Sequence, residues 1–434
     1  MKIEKCRICG NRKFKEIINL GNQCLTSVYP KPESKDPSKS WLKLIFCDST
    51  EQPKFKCNLV QLHHNADIKE MYGTTYGYFS SISPTMISHL EDIIRFTKKH
   101  VTLNAGDAVL DIGCNDGTLL NKYGAENKLK RYGVDPSSKK FLHMFENDVK
   151  VLTDFFSYEK INEFSKGKKF KVISSIAMFY DIDDPIEFAK SIELLLDDDG
   201  FWIIEIAYLP LMMKNLAYDQ IMHEHLTYLS LRQMEVIFEK SKLKVVDFST
   251  NSVNGGSILI AACKKDYKCK IEGEKIIALR DEEKILSNYY VYEKFAERIK
   301  KHKSELIKLL TELKDKKSTI IGYGASTKGN VILNYCGIDK NLLPEICDQN
   351  PEKPGLVTPG SRIPIVSKDT MRKKNPDYVL VLIWHFRKEI IKDEIDYIQK
   401  GGNLIFHLPR VHIVNKDNYK KYYHSDFSNL SFDL

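Results

Sequence analysis

Residues 109–117 read VLDIGCNDG, and a second apolar run, RYGVD, ends at Asp135, 24 residues after Asp111. A buried strand, a tight glycine turn and a later acidic residue are what an adenosine cofactor needs. Gly113 and Gly117 let the backbone turn sharply and approach a ligand closely, where a Cβ would obstruct it. Asp135 closes the first strand–helix–strand unit and can accept hydrogen bonds from a ribose diol. The spacing is near that of the dinucleotide fingerprint, but the loop lacks the GxGxxG pattern that suits a pyrophosphate. A cofactor without phosphates fits better. Its candidate contacts are Asp111, Gly113, Cys114, Asn115, Gly117 and Asp135. The competing reading is an ordinary strand–turn–helix of an α/β protein.

Outward from this motif, strand-like runs at 108–112, 131–135, 171–176 and 200–206 alternate with helical stretches. That alternation predicts a doubly wound, mostly parallel sheet. Residues 233–243 read as a helix, and 253–263 (VNGGSILIAAC) as a late strand entered through a glycine turn. From about 270 to 315 the chain is charged and helical, an amphipathic connector whose apolar positions hold no lasting heptad. A second α/β unit follows. STIIGYGASTKGN (318–330) runs from an apolar strand through a glycine loop into a helix, and further strands are expected within 343–351, 377–384 and 401–409. Gly322, Gly324 and Gly329 could cradle phosphates at that helix N-terminus, with Lys328 adding positive charge. Two nucleotide-type sites in one chain suggest two ligands meeting between domains.

Five of the ten cysteines fall in the first 57 residues: Cys6, Cys9, Cys24, Cys47 and Cys57. Cys6-x-x-Cys9 is a knuckle that presents two thiolates to one metal, and tetrahedral zinc wants four such ligands. Cys47 and Cys57 are the best second pair, with DSTEQPKFK looping out between them. Cys24 competes for the fourth position, and His63 and His64 are weaker candidates. Cys114, Cys263, Cys269, Cys336 and Cys347 are scattered and read as packing residues.

The catalytic signal lies at 218–228, YDQIMHEHLTY. Two imidazoles flanking a carboxylate are rarely needed for packing. On a turn His223 and His225 would project the same way, with Glu224 directed differently. His225 is the candidate general base, since an unperturbed pKa near 6.5 leaves much of the ring neutral at pH 7. Glu224 could orient an imidazole or contact the substrate. A zinc reading of HEH fails on spacing, because HExxH sets its histidines one helical turn apart.

GCNDG in this setting resembles motif I of the class I methyltransferases, which bind S-adenosylmethionine (SAM). The order CRxC, Cys57 to Leu62, YFSS (78–81), DIGCNDG, HEH, NGGS (254–257) and GYGASTKGN resembles the sugar C-methyltransferase family over roughly residues 5–410. Members of that family methylate C3 of nucleotide-linked 4-keto-deoxy sugars. The resemblance implies a zinc-binding domain (1–68), a Rossmann-like SAM methyltransferase domain (69–265), and a linker helix with a Rossmann-like domain that helps hold the nucleotide sugar (266–434). A base would remove the proton beside the ketone, and the enolate carbon would attack the sulfonium methyl. His225 is then the base, with Glu224, His223, Tyr76, Tyr78 and Tyr180 near the sugar. Ser80, Ser81, Gly324, Ser326, Lys328 and Asn330 become substrate contacts. Two positions depart from the family pattern. Met222 stands where a Tyr precedes HEH, and Tyr180-Asp181 stand where a His follows the fourth strand. These bear on the methylated carbon and the identity of the sugar.

Composition sets the outer bounds. A chain of 434 residues is long enough for two or three domains with cores of their own. Its net charge of +8 is spread from end to end, which excludes a clustered basic stripe for nucleic acid. There is no apolar run near the roughly 20 residues that span a bilayer. The first residues lack a signal-peptide apolar region, so the expected compartment is the cytoplasm. A monomer or weak homo-oligomer is expected. The alternative function is a SAM-dependent O- or N-methyltransferase, which would not need HEH. A zinc-dependent binding module on nucleotide folds is a third reading, poorly supported by the intact cofactor motif.

Overall fold

The computed structural model describes residues 1–48, 57–71, 79–124, 128–427 and 430–434. The strand carrying the first motif, Ala108–Ile112, is buried along its whole length, as a parallel strand covered on both faces must be. It lies between Lys130–Val134 and Phe170–Ile176, both parallel to it. The chain leaves on one side to Lys130–Val134 and Lys150–Leu152, then crosses back to Phe170–Ile176 and Leu196–Ala207. This reversal makes a crevice at the carboxyl ends of the central strands, where ligands of open α/β sheets bind.

The mostly parallel sheet is as expected, with one addition. Leu196–Ala207 pairs antiparallel with Ser257–Lys264, which pairs antiparallel with Leu243–Asn251. The late strand begins at Ser257, because residues 253–255 form a tight turn instead of extending. The preceding helix runs Leu231–Lys240.

The C-terminal sheet repeats the reversal. Ile320–Tyr323 sits between Ile346–Asp348 and Tyr378–Val381, flanked by Ile365–Ser367 and Asn403–Phe406, all parallel. His412–Val414 adds an antiparallel edge. Thus the two α/β units each have a switch point, and both open onto the same cleft.

The N-terminal sheet is antiparallel: Phe14–Cys24, Lys39–Cys47, Val60–Leu62 and then Thr227–Tyr228. The last strand comes from the central segment and follows HEH directly. The first 68 residues therefore share a sheet with the catalytic candidate.

The helical connector is not continuous over 270–315. Helix Gly273–Glu282 ends in a tighter turn, Glu283–Ser287, before the 26-residue helix Tyr290–Asp315. The cause is Glu283, whose carboxylate turns inward to the start of helix Leu231–Lys240. It accepts from the Tyr208 hydroxyl (2.7 Å), Leu231 N (2.8 Å), Arg232 N (3.0 Å) and Ser230 Oγ (2.8 Å). A carboxylate suits the electropositive N-terminus of that helix. The long helix buries Tyr292, Phe295, Ile299, Leu306, Leu310 and Leu313 along one stripe, as an amphipathic connector should. It joins the N-terminal and C-terminal sheets in one apolar core, with Tyr292 against Phe46.

Candidate active site

Cys6, Cys9, Cys47 and Cys57 come together at the edge of the N-terminal sheet, their sulfurs all within 4.8 Å of one another. Cys6 and Cys57 are 3.8 Å apart, and Cys9 and Cys47 3.5 Å. A tetrahedron of sulfurs around zinc, each about 2.3 Å from the metal, has edges of about 3.8 Å. The donor set fits that metal. Cys24, His63 and His64 lie outside the group.

At the crevice of the central sheet, Gly113 turns with φ 77°, and a Cβ there would stand 3.0 Å from Met178 Cγ. The space a side chain would fill is left to the cleft. Asp135 lines it too, but its carboxylate also shapes the loop. Oδ2 accepts from Asn115 N (3.0 Å) and Oδ1 from Ser137 N (2.6 Å). Each oxygen keeps a lone pair for a ligand. Asp111 is buried, accepts from Ser174 Oγ (2.6 Å), and burial pushes its carboxyl up to about 7. Cys114 also lines the cleft; burial raises its thiol and it packs beside Ser138. Gly117 lies beneath the Phe145 ring and not on the cleft wall.

Ser80 and Ser81, expected to contact the substrate through their hydroxyls, also bind the cofactor turn through their backbone. Their backbone N–H groups donate to Asn115 Oδ1 (3.0 Å) and Asp116 Oδ2 (2.8 Å). They brace the cofactor turn, and only Ser80 lines the cleft. Tyr76 and Tyr78 lie outside the described residues.

His223, Glu224 and His225 all face the cleft, each held by a different element. His223 Nε2 meets the Ser40 carbonyl at 3.2 Å, its Nδ1 has no partner, and burial lowers its pKa to about 4. Burial raises the Glu224 carboxyl, which Ser27 partly offsets, and Glu224 Oε2 has no partner. His225 packs against Tyr180, 4.1 Å between ring centroids. Its pKa is not the unperturbed value expected. Burial and the positive charge of Lys328 hold it well below the usual imidazole range, opposed by the Gln220 carbonyl. Met222 and Asp181 line the cleft as well.

Gly324, Ser326 and Lys328 form the opposite wall. Ser326 Oγ already accepts from Gly329 N (3.0 Å), capping helix Thr327–Cys336. Asn330 is a correction: it is fully buried, donates to the Thr26 carbonyl (2.7 Å), and does not reach the cleft. The reason is helical phase, since two residues beyond Lys328 point to the far side of the helix. Cys263 and Cys269 are also less scattered than the sequence suggests, with sulfurs 3.7 Å apart.

Four cleft residues escaped the sequence reading. Tyr29 reaches over from the loop between strands Phe14–Cys24 and Lys39–Cys47 to donate to the Ala325 carbonyl (2.7 Å), and no local pattern announces it. Lys353 bonds the same carbonyl (2.7 Å) and Asp348 (3.2 Å). Glu205 is a buried carboxylate paired with His89 (2.8 Å); a charge inside the run GFWIIEI was its signal. His385 follows the buried strand Tyr378–Val381, the position where α/β folds carry ligand contacts, and its Nδ1 has no partner.

Comparison with known proteins gives three matching family models in chain order. They are described as "Putative zinc binding domain" at residues 6–72, "Methyltransferase domain" at 86–247, and "C-methyltransferase C-terminal domain" at 252–409. The C-methyltransferase NovU of Streptomyces niveus is 27% identical over 421 residues, 96% of this chain and 98% of its own. A tRNA U34 carboxymethyltransferase of Campylobacter lari is 34% identical over 107 residues, 24% of this chain and 36% of its own. A solved S-adenosylmethionine-dependent methyltransferase of Clostridium acetobutylicum overlays on 41% of this chain and 92% of its own, with 15% identity and a TM-score of 0.32.

Proposed function

We propose that this chain, which matches a zinc-binding, a methyltransferase and a C-methyltransferase C-terminal family model in order, is a SAM-dependent C-methyltransferase that methylates a nucleotide-linked 4-keto-deoxy sugar at C3, the carbon beside the ketone. The observation that carries the reading is a convergence. The cofactor turn, the HEH segment and the Gly324–Lys328 loop line one cleft of about 550 Å³. A catalyst of carbon methylation needs a base within reach of both an electrophile and an acidic C–H, and HEH shares its cleft with both loops.

SAM supplies an electrophilic methyl that needs little activation. The difficult step is making the carbon nucleophile. His225 would take the proton beside the ketone, the C–H electron pair shifting towards the carbonyl oxygen. The enolate carbon would then bond the methyl as the methyl–sulfur bond breaks and leaves its electron pair on sulfur. A buried, neutral imidazole is in the protonation state a base requires. Glu224 and His223 stand beside it to orient the ring or the sugar, and Tyr180 packs against it. Gly113, Asn115 and Asp135 hold the cofactor. The four cysteines would hold a zinc that stabilises the N-terminal sheet, and Tyr29 and Ser27 enter the cleft from the loop between its first two strands. We take the domain boundaries near residues 68 and 265. A cytoplasmic setting and a monomer or weak homo-oligomer complete the proposal.

The test is mass spectrometry of nucleotide-linked keto sugars incubated with the protein and methyl-labelled SAM. One label on carbon beside the ketone is expected. Label on oxygen or nitrogen, or transfer to a substrate with no acidic C–H, would replace this reading with the O- or N-methyltransferase.

A further inference from the structure

Lys328 is an expensive residue in its position. It is the second residue of helix Thr327–Cys336, where the helix end is already electropositive. Its ammonium is enclosed, and burial lowers its pKa while the charge of Asp219 supports it. An ammonium has three N–H donors. Here it donates to the Asn254 carbonyl at 3.2 Å, its one protein acceptor among the described residues. Asp219 accepts from Trp384 Nε1 at 2.8 Å through Oδ2, while its Oδ1 has no hydrogen-bond partner among those residues. A solvated phosphate anchor would avoid all of these costs.

The NGGS turn explains how the ammonium is held. Asn254, Gly255 and Gly256 all have positive φ, at 56°, 91° and 128°. A Cβ on Gly255 would stand 3.0 Å from the Trp384 ring. This left-handed run brings the Asn254 carbonyl to both Lys328 Nζ and Gln220 Nε2, each at 3.2 Å. Strained backbone that persists at a cleft is kept for what it positions. The ammonium it positions lines the same cleft as His225.

We propose that Lys328 is a catalytic residue, whose ammonium donates to the ketone oxygen of the substrate and holds the enolate charge, aimed by the Asn254–Gly255–Gly256 turn. The proposal rests on the ketosugar reading above. When the C–H bond breaks, the proton goes to His225 and the electron pair to the carbonyl oxygen. Lys328 keeps its proton and stabilises that oxygen by hydrogen bond and charge. As the new C–C bond forms, the pair returns to carbon and the methyl–sulfur pair stays on sulfur. Preorganised charge of this kind is worth most in an enclosed site. Asp219, from the turn Tyr218–Gln220, His225, and His385, after strand Tyr378–Val381, are the titratable groups that feel the Lys328 charge.

The experiment compares the wild-type chain with Lys328→Met and Lys328→Arg, all with S-adenosylhomocysteine bound. Solvent deuterium exchange into the unmethylated keto sugar, at the carbon beside the ketone, should fall about 10²- to 10³-fold in Lys328→Met. Affinity for S-adenosylhomocysteine, and for uridine and thymidine diphosphates, should stay within about twofold, showing an intact cleft. The His225 ring pKa, followed by NMR, should rise in Lys328→Met and stay low in Lys328→Arg. Exchange at the wild-type rate with weakened diphosphate binding would make Lys328 a phosphate anchor and overturn the proposal. If no keto sugar exchanges even with the wild type, the ketosugar reading has failed. The enolate role falls with it, whereas wild-type exchange together with an unchanged His225 pKa and undiminished exchange in Lys328→Met overturns the Lys328 assignment alone.

Discussion

The rings of Tyr180 and His225 stand 4.1 Å apart, centroid to centroid, inclined at 52°. Their segments are stitched together as well. Leu226 N donates to the Tyr180 carbonyl at 2.9 Å, and Thr227 Oγ1 to the same oxygen at 3.3 Å. The turn Phe179–Asp181, which follows a central strand, thereby clamps the HEH segment against the crevice. Tyr180 thus fixes where the imidazole points and covers one of its faces.

A clamped and enclosed His225 sets the acid side of the reaction. Its pKa lies below the usual imidazole value, so the neutral base should persist below pH 6.5 and kcat/KM should fall only at lower pH. His225→Ala should reduce both solvent exchange and methylation about 10²- to 10⁴-fold. S-adenosylhomocysteine affinity, read by calorimetry, should stay near wild type. Tyr180→Ala should uncover the ring, raise its pKa and move the acid limb upward. An acid limb unmoved by Tyr180→Ala would assign the depressed pKa to other neighbours.

Asp135 should matter twice. Its carboxylate faces the cleft and also receives Asn115 N and Ser137 N. Hydrogen bonds to a charged group are worth about 1.5–3 kcal/mol each. Asp135→Ala should weaken S-adenosylhomocysteine binding at least about tenfold by calorimetry. It should also cost about 1 kcal/mol of stability through the lost cap of the turn beginning at Pro136. Undiminished affinity would remove Asp135 from the cofactor site.

Elemental analysis should find one zinc per chain, bound by Cys6, Cys9, Cys47 and Cys57. Because the ligands meet only in the folded sheet, metal binding and folding are coupled. Cys6→Ser or Cys9→Ser should release the metal and loosen the N-terminal sheet, seen as faster amide exchange in strands Phe14–Cys24 and Lys39–Cys47. Retained zinc in both variants would contradict this ligand set.

Glu283 should be a stability residue with no direct chemical role. Glu283→Ala would leave three donors, from Tyr208, Leu231 and Arg232, without this acceptor, while Ser230 Oγ keeps Gln233 Oε1 at 2.7 Å. The expected cost is about 3 kcal/mol in denaturant unfolding. Glu283→Gln keeps one acceptor oxygen and should recover part of it.

Stability should also fall on mild acidification. His223 and His302 are buried with pKa values lowered to about 4. For a histidine depressed in the folded state, the unfolded chain takes up protons first. The contribution is therefore complete above the unfolded pKa near 6.5 and is lost as pH falls from there towards 4. Each site is worth on the order of 3 kcal/mol over that window. Urea unfolding at pH 7.5 and pH 5 should show the loss, and His302→Gln should reduce it.

Much of this could be read along the chain because it depends on short segments. Runs such as AVLDI and DYVLVLIW announce buried strands, and both occur. The glycine turn at 113, the Cys6-x-x-Cys9 knuckle and the choice of Cys47 and Cys57 follow from backbone freedom and ligand chemistry. Other features had no local signature. Glu283 breaks an otherwise helical stretch only because Ser230 and Leu231 lie beside it in space. Tyr29 enters the cleft because the loop that carries it docks on the C-terminal loop. The backbone bonds from Ser80 and Ser81 to Asn115 and Asp116 had no local signature either, since they join segments about 35 residues apart.

The sequence by itself determined the kinds of elements, the turns that only glycine allows, and the candidates for a base, a metal quartet and two ligand loops. These follow from periodicity and side-chain chemistry, which act within a few residues. Tertiary structure alone decided that both switch points and the HEH segment share one cleft. It also decided that His225 is buried beside Tyr180, and that Lys328 meets a carbonyl from a turn 74 residues earlier. The strength of a base or a buried cation depends on solvent exclusion and on the charges around it, and both come from segments remote in the chain.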